Sequence, residues 1–548
     1  MVGLDDDSRE MMINGIKLFA ERNLPKDQIM KLDKEGEDLS KERIKEMYDP
    51  TKLGIHLLLI PTEYGGIGAS NFDMYQVCET LAGIDLGVAT AVFATFLGLD
   101  PIRVGGTPEQ KKKWFTRIAS EGLLVAYGAT EAEAGSDLTS LKTRAEPVTE
   151  GEELVGYRIT GSKQWISNGG IADVYLILAR DRVSVGWFIV EGGQEGMEFN
   201  NPEDKHGIRL ANTVAFSMDN VFVPKENLVG EKEGMGLIQA QAVFGATRVM
   251  VAAFGLGCGW AALGRAVSYS QGRIQGGGPL SEKQGYTHKL IVPHAVRLEA
   301  SRAYIEDVAA RLDEAGHGLQ TEGAIAKWSA TEAGNAAAEA SIQAMGGYGY
   351  VHEMEVEKIK RDVRITQIYE GTNEILEITI SRDRWQQHLK SRGQYYIDLA
   401  EEMEELHSRD PEVGALASAY ALKALGNIFE ECRLQKLTRN QHVQMRLGEL
   451  ASWGETAMVF SRKAASEKYS RAVKFDRETW RSMARSYARD ATLRIAHDGI
   501  KLIMGYGEGD PAALRARVFM DEIMKEQKGQ KEDRDLIAQK LKDVFKMT

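Results

Sequence analysis

Cysteine is scarce in this 548-residue chain: Cys78, Cys258 and Cys432 are the three present, far apart and with no Cys-x-x-Cys pair. That spacing gives no reason to expect a disulfide framework or a zinc site, and the three thiols read as small buried hydrophobes. An excess of positive charge is missing too. Against 68 Lys and Arg stand 80 Asp and Glu, a formal net charge of −12, which disfavours attraction to a phosphate backbone and makes nucleic acid an unexpected partner. Long apolar runs are few. The longest uncharged stretch, residues 249–264 between Arg248 and Arg265, has 16 Gly- and Ala-rich residues; it falls short of a bilayer span and reads as a tightly packed buried helix. The opening MVGLDDDSRE is acidic where targeting peptides are basic, so a cytoplasmic protein is expected.

The bulk composition, 43% hydrophobic and 27% charged, excludes extended disorder and low-complexity classes. At roughly 150 residues per domain the length suggests three to four domains. Residues 1–121 carry helical periodicity in GIKLFAERNL, ERIKEMYD, FDMYQVCETLAGI and GVATAVFATFLGLDPI, interrupted by the loop PTEYGG at 61–66. From 122 to 233 the pattern turns to short β-branched and aromatic runs, LLVAYGAT, YRITGSKQWIS, VYLILAR, VGWFIVE and TVAFSMDNVFVP. No helix-length pattern separates them. The sheet should therefore be mainly antiparallel, closed as a small barrel or sandwich, which argues against a doubly wound dinucleotide fold. Helical periods return over 234–394, with long segments at 235–272, 283–314, 318–345 and 372–392, and continue through a tail, 395–548. Within that tail, residues 493–522 echo residues 336–362: each reads as a helix, a Met-Gly turn rich in Gly and Tyr, and a charged helix. The tail is expected to be a degenerate repeat of the preceding bundle.

Few stretches carry chemistry. Gly257, Gly259 and Ala262 imitate a nucleotide-binding string, but no strand precedes them and no ribose-binding acid follows, so helix packing is the reading. His352–Glu353 lacks the second His that a metal-binding helix face requires, and no metal is expected. YGATEAEAGS at 127–136 is a loop of small and hydroxyl residues, including Thr130 and Ser136, that a ligand could approach closely. QWISNGG at 164–170 offers Trp165 as a flat face for an aromatic ring system and Ser167 as a partner for a heteroatom. In RITQIYEGTNEI at 364–375, Glu370 precedes Gly371 and Thr372, a plausible helix cap. A carboxylate on such a turn among apolar neighbours can have its pKa raised by desolvation towards general-base values.

Taken in this order, these stretches resemble the acyl-CoA dehydrogenase family of flavoproteins, and within it the tailed, very-long-chain-like subclass. The resemblance covers about residues 5–390 through PTEYGG, QKKKWFTRIASEG, AYGATEAEAGSD, ITGSKQWISNGG, KHGIRLANTVAFSMDNVFVPKENLVG, FGATR, GRIQGGGPLSEKQ, QAMGGYGY and RDVRITQIYEGTNEI. It implies a mainly α fold with a central β-barrel, that is, an N-terminal helical domain, the barrel and a C-terminal helical bundle, plus the extra helical extension, with FAD as cofactor. By resemblance, Tyr127, Ala129, Thr130, Gly135 and Ser136 line flavin and pantetheine, Trp165 and Ile166 pack at the isoalloxazine, and Ser167 bonds near its N5. Arg273 and Gln275 from a neighbouring subunit, with Gln284, Gln343, Gly346 and Gly347, reach the FAD pyrophosphate side, and Thr372 and Asn373 also touch FAD. Ser136, Arg248, Tyr369 and Gly371 fall at acyl-CoA contacts, and Thr90 and Phe93 at the floor of the acyl cavity.

Glu370 falls at the family's catalytic base. It would take the α-proton of an acyl thioester while the β-hydrogen leaves as hydride to flavin N5, giving a trans-2-enoyl-CoA. The enolate-like charge would be met by the base's own N–H and a ribityl hydroxyl. The implied partners are an acyl-CoA, electron transfer flavoprotein as acceptor, and a second copy in a homodimer, with fatty-acid β-oxidation as the setting. Membrane-surface contact is not the default, although SRKAASEKYSRAVKF at 461–475 is mildly basic. The alternatives are an acyl-CoA oxidase using oxygen and a non-catalytic assembly factor on the same fold. Three departures from the family pattern stand out: Glu133 where Gly is common, Gly276 where an aromatic is usual, and Gly245 where several members carry an acid.

Overall fold

The computed structural model describes residues 3–316, 318–467 and 474–546, and of Val243 the backbone alone. Two compact units divide the chain, one made of Met1–Met250 with Ala309–Gln320 and the other of Val251–Val308 with Thr321–Thr548.

The first unit opens with helices α1 (Asp6–Asn23), α2 (Lys26–Glu35), α3 (Lys41–Tyr48), α4 (Asn71–Ile84), α5 (Leu86–Gly105) and α6 (Pro108–Glu121). Their starts follow from local chemistry. Ser70 and Thr107 each close a capping box with the residue three positions on, and Pro108 occupies the first turn of α6, where its missing N–H costs nothing. Strands follow: β1 (Val125–Gly128), β2 (Arg144–Glu150), β3 (Glu153–Ser167), β4 (Val174–Arg180), β5 (Val185–Glu191), β6 (Met197–Phe199) and β7 (Thr213–Pro224). β3 pairs antiparallel with β2 and β7, β4 with β5, and β6 with β7, while β1 and one residue of β2 run parallel to the same edge of β4.

The expected barrel does not close. Among the described residues, the far edge of β5 forms no ladder with the chain beyond β7; it meets it at an isolated bridge, Phe188–Leu228, and through Asn227 Nδ2, which donates to Ile189 O at 3.0 Å, so the sheet is a curled half-barrel. Its concave side is filled by Tyr157, Ile159, Ile177, Phe188, Val214 and Phe216, among others. With those side chains filling the core, a full ladder along that edge is not needed to exclude water.

Helix α7 (Gly236–Gly272) leads to a small hairpin, β8 (Ile274–Gln275) with β9 (Gly278–Pro279), and then α8 (Gln284–Tyr286), a π-helical turn at Thr287–Ile291 and α9 (Val292–Ala315). The second unit continues with α10 (Gln320–Met345), α11 (Gly347–Tyr350), α12 (Val356–Val363) and α13 (Asn373–Lys390). The tail is helical: α14 (Tyr395–Arg409), α15 (Ala415–Leu434), α16 (Gln441–Ala465), α17 (Arg477–Tyr506), α18 (Pro511–Arg517), α19 (Met520–Glu526) and α20 (Gln530–Val544). Of the mildly basic stretch at 461–475, residues 468–473 lie outside the described residues.

The string around Gly257 and Gly259 is helix packing. A Cβ built on Gly259 would stand 2.9 Å from Gly334 Cα, and one on Gly255 would stand 2.8 Å from the Ala330 carbonyl oxygen; the glycines of α7 let its backbone touch that of α10. Leu86–Gly105 and Phe244–Gly272 are both long and apolar enough to cross a bilayer, yet 83% of each apolar window is buried inside the protein, the mark of core helices. The three cysteines are free and buried.

Candidate functional site: two half-sites and their supports

In the first unit the site is organised by a break in β3. Lys163 pairs with Phe216 and Ile166 with Val214, so two residues of β3 stand opposite one of β7, a β-bulge. The bulge changes which side chains point inward. Lys163 and Ile166 are both buried, at 1% and 2% exposure, while Trp165 has φ of 58° and lies 58% exposed. A left-handed conformation at a bulky residue is strained, and an indole left in water is costly, so the pairing points to a ligand face. Ile166 belongs to the half-barrel core; its side chain is not available to a cofactor. Ser167 ends β3 opposite Thr213.

The loop that follows β1 is tied to this bulge. The Gln164 N–H donates to Thr130 O at 3.0 Å. Lys163 Nζ donates to Ala129 O at 3.2 Å, to Leu178 O at 2.7 Å and to Glu131 Oε1 at 2.8 Å. Glu131 in turn accepts from the Lys142 and Thr143 N–H groups at 2.6 and 3.1 Å. Burial pushes the Lys163 ammonium down to about 8, opposed by its Glu131 partner. The ion pair thus fixes the loop containing Tyr127, Ala129, Thr130, Gly135 and Ser136. Its members escaped sequence reasoning, and the one signal was a Lys where strand alternation asks for an apolar residue. Tyr127 packs at 4.6 Å on Trp187. A Cβ on Gly135 would meet nothing within 4 Å, and Ser136 is exposed, so this part of the loop is open to a ligand. Glu133, the first departure, is exposed and pairs with Lys142.

Thr90 and Phe93 lie on the buried face of α5, Phe93 against Phe96 at 4.8 Å and the Thr90 hydroxyl buried without a hydrogen-bond partner among the described residues. A buried hydroxyl of this kind calls for a partner from outside the chain, such as an ordered water or a ligand. Arg248 is buried, stacked at 4.9 Å over Phe244, and donates to Gln320 O at 3.2 Å. The Gly245 departure has a steric cause: a Cβ there would stand 2.2 Å from Gly318 O.

In the second unit Glu370 occupies a half-buried turn with φ of 56°, followed by Gly371 at 92°. Thr372 caps α13, accepting from the Ile375 N–H, as its position after the glycine suggested. Beneath the turn runs a polar stripe on α10. Lys327 Nζ donates to Gly371 O at 2.7 Å and to Asn373 Oδ1 at 3.1 Å. Asn373 Nδ2 donates to Glu332 Oε1 at 2.7 Å and to Thr331 Oγ1 at 3.1 Å, and Gln367 donates to Glu332 at 2.6 Å. Asn335 holds the Val363 carbonyl at 2.9 Å. Lys327, Thr331 and Asn335 are four residues apart in an Ala-rich helix, a spacing that places them on one face. The amide of Asn373 is spent on α10, which leaves its backbone for any other contact. One turn into α13, burial raises the Glu377 carboxyl to about 7 while Trp328 Nε1 donates to it at 2.9 Å.

Arg273 and Gln275 stand exposed on the β8–β9 hairpin, with Gly276 and Gly277 at φ of 57° and 82°. A two-residue Gly-Gly connection with both φ positive is what a tight hairpin requires, so an aromatic at 276 would strain it; that accounts for the second departure. Gln343, Gly346 and Gly347 are exposed at the end of α10, and Cβ atoms built on the two glycines would meet nothing within 4 Å. Gln284 donates to Asp535 of α20 at 3.1 Å. Tyr369 is half-buried beside Glu370.

Comparison with known proteins shows the family and the fold. The three domains described as acyl-CoA dehydrogenase N-terminal, middle and C-terminal match residues 6–122, 126–221 and 234–384. An acyl-CoA dehydrogenase of Bacillus subtilis is 37% identical over 340 residues, 60% of this chain and 88% of that protein. The mitochondrial very long-chain specific acyl-CoA dehydrogenase of Macaca fascicularis is 34% identical over 367 residues, 63% of this chain and 55% of that one. A solved acyl-CoA dehydrogenase from Bacillus anthracis, complexed with FAD, shares the fold, tail included, with a TM-score of 0.81 at 23% identity over 99% of this chain and 96% of that one. The class is that of an oxidoreductase enzyme. The chain belongs to the acyl-CoA dehydrogenase family, and it carries the extra C-terminal helices.

Proposed function

We propose that the protein binds FAD and oxidises an acyl-CoA to the trans-2-enoyl-CoA, with Glu370 as the base that removes the α-proton. The observation that carries this reading is the turn at Glu370: a carboxylate held at φ of 56° between an aromatic residue and a glycine, fastened from α10 through Gly371 O. Backbone strain of this kind persists only where surrounding contacts enforce it, and it fixes the carboxylate's direction ahead of substrate arrival. The residues present suit a flavin. Trp165 offers an exposed flat face, the loop at 127–136 is fixed by the buried Lys163–Glu131 pair, and the glycines at 135, 346 and 347 leave room where a Cβ would stand.

When bound, FAD supplies the acceptor for the β-hydride. The chain does the rest. Glu370 accepts the α-proton on a carboxylate oxygen, Lys327 keeps the turn from relaxing, Trp165 orients the ring system, and Arg248 serves the thioester ligand. Electron transfer flavoprotein is the proposed acceptor. A homodimer is the proposed assembly, supported by Ile274, Tyr348 and Tyr350, apolar side chains 59%, 53% and 80% exposed on the second unit, which a second copy would cover.

Anaerobic titration of the yellow holoenzyme with straight-chain, branched and aromatic acyl-CoAs tests the reading. Bleaching of the flavin band by at least one class, with enoyl-CoA formed in equal amount, is the expected result. A protein that purifies without flavin, or whose flavin no acyl-CoA reduces, overturns it. Fast reoxidation by air would instead assign an oxidase.

A further inference from the structure

The C-terminal helix is wired to both roots of the β8–β9 hairpin. Before the hairpin, Gln271 Nε2 donates to Phe545 O at 2.5 Å, and the Phe545 ring stacks at 5.4 Å on Trp260 of α7. After it, Asp535 accepts from Gln284 Nε2 at 3.1 Å, and His288 Nε2 lies 3.0 Å from the same carboxylate oxygen. The second root is also where the helix is irregular, since the π turn Thr287–Ile291 begins one residue beyond Tyr286. A π turn is a less stable helical form and is maintained by what packs on it. α20 is itself well anchored on another side: Asp533, buried, takes Arg485 at 2.6 Å and Arg489 at 2.5 Å from α17. Two residues apart on one helix, Asp533 and Asp535 therefore engage different neighbours, one the body of the tail and the other the hairpin root.

Besides α20, the hairpin is held by its own short contacts, the Leu280 N–H donating to Arg273 O at 2.9 Å and Lys283 Nζ to Gly276 O at 3.0 Å, and at its second root by the Tyr286 hydroxyl, which donates to Ala344 O at 3.1 Å. It consists of two residues a strand around Gly276 and Gly277, and its tip is exposed; a two-stranded ribbon of this size is not stable by itself. We propose that α20 is the anchor of this hairpin and that Asp535 is a positioning residue for cofactor retention, acting through Gln284 and the π turn. The proposal rests on the reading above in which Arg273, Gln275 and Gln284 serve FAD. It assigns the helical tail a task within its own chain: keeping the exposed loop in the conformation that holds a dinucleotide's phosphates.

The experiment compares holoenzyme with Asp535→Ala, Gln271→Ala, the double variant and Asp535→Asn, which keeps an acceptor oxygen for Gln284. Amide hydrogen exchange is followed peptide by peptide and FAD dissociation by the return of free-flavin fluorescence. The double variant is expected to speed exchange about tenfold or more at 273–283 with α17 unchanged, and to release FAD about tenfold faster; Asp535→Asn should recover most of both. Unchanged exchange at 273–283 overturns the anchor. Faster exchange with unaltered FAD release overturns the positioning role, while acyl-CoA bleaching in those same variants still reports separately on the proposed reaction. Exchange that rises uniformly through α17 also overturns it, because the contacts would then be serving the tail's stability alone.

Discussion

Lys327 Nζ lies 2.7 Å from the carbonyl oxygen of Gly371, the residue after Glu370. The side chain is fully buried, so its cost of burial is offset only by the acceptors it meets, and the turn it holds is the one that carries the base. Lys327→Met keeps much of the length and removes the donor. The expected result is a loss of about 1–3 kcal/mol of stability from the abandoned carbonyl, and a fall in kcat of about 10–100-fold as the carboxylate loses its direction, with KM little altered. Steady-state kinetics beside urea unfolding check both; a variant that is merely less stable but turns over normally would remove Lys327 from the support of the turn.

Trp165 gives the opposite separation of effects. It is exposed and stands outside the half-barrel core, so Trp165→Ala should leave the melting temperature of the FAD-free protein within about 2 °C of wild type, as usual for a surface change. FAD affinity should fall about tenfold or more, since about 1.4 kcal/mol of stacking and burial is one decade. Isothermal titration of FAD into both proteins decides this.

The Lys163–Glu131 pair lies inside the first unit, with Lys163 shut off from water. Removing one member of such a pair leaves the other buried and uncompensated, and Lys163→Met is expected to cost about 3–5 kcal/mol. Replacing both, Lys163→Met with Glu131→Gln, should cost less than the single change. Equilibrium unfolding of the three variants forms the test; equal losses in the single and double variants would show that the charge pairing is not what fixes the loop.

Glu377 ties stability to pH. Its folded-state value of about 7 lies above the ordinary 4.5, with burial as the leading cause. Between these values the folded protein holds a proton that the unfolded chain has released, so stability falls as pH rises from about 4.5 to 7 and the penalty is complete above 7. Glu377→Gln should therefore match wild type near pH 4.5 and melt a few degrees higher at pH 8. Calorimetry at the two pH values checks the sign; a variant less stable at pH 8 would mean that the Trp328 hydrogen bond outweighs the burial penalty.

Much of this could be read from the residues. The change from helical to strand periodicity near 122 and back near 234, the Thr372 cap and the Gly-rich face of α7 are all local signals, and local signals survive into the fold. What escaped depends on partners distant in sequence. Lys163 and Glu131 look like surface residues by type, and although alternation along β3 places the lysine inward, nothing local names Glu131, 32 positions away, as its partner. That β5 meets the chain beyond β7 at the isolated bridge Phe188–Leu228 and not along a ladder is something strand patterns do not encode. Asp535 is 251 positions from Gln284, and nothing along α20 marks it out. The stripe Lys327–Thr331–Asn335 lies between these cases, visible as a period but without meaning until the turn at 370 was placed above it.

The most direct measurement replaces the base itself. Glu370→Gln, loaded with FAD and mixed anaerobically with an acyl-CoA that bleaches wild type, should still bind the ligand and perturb the flavin spectrum, while the visible absorption of the oxidised flavin persists. Bleaching of that variant at the wild-type rate would contradict the assignment of Glu370 as the residue that takes the α-proton.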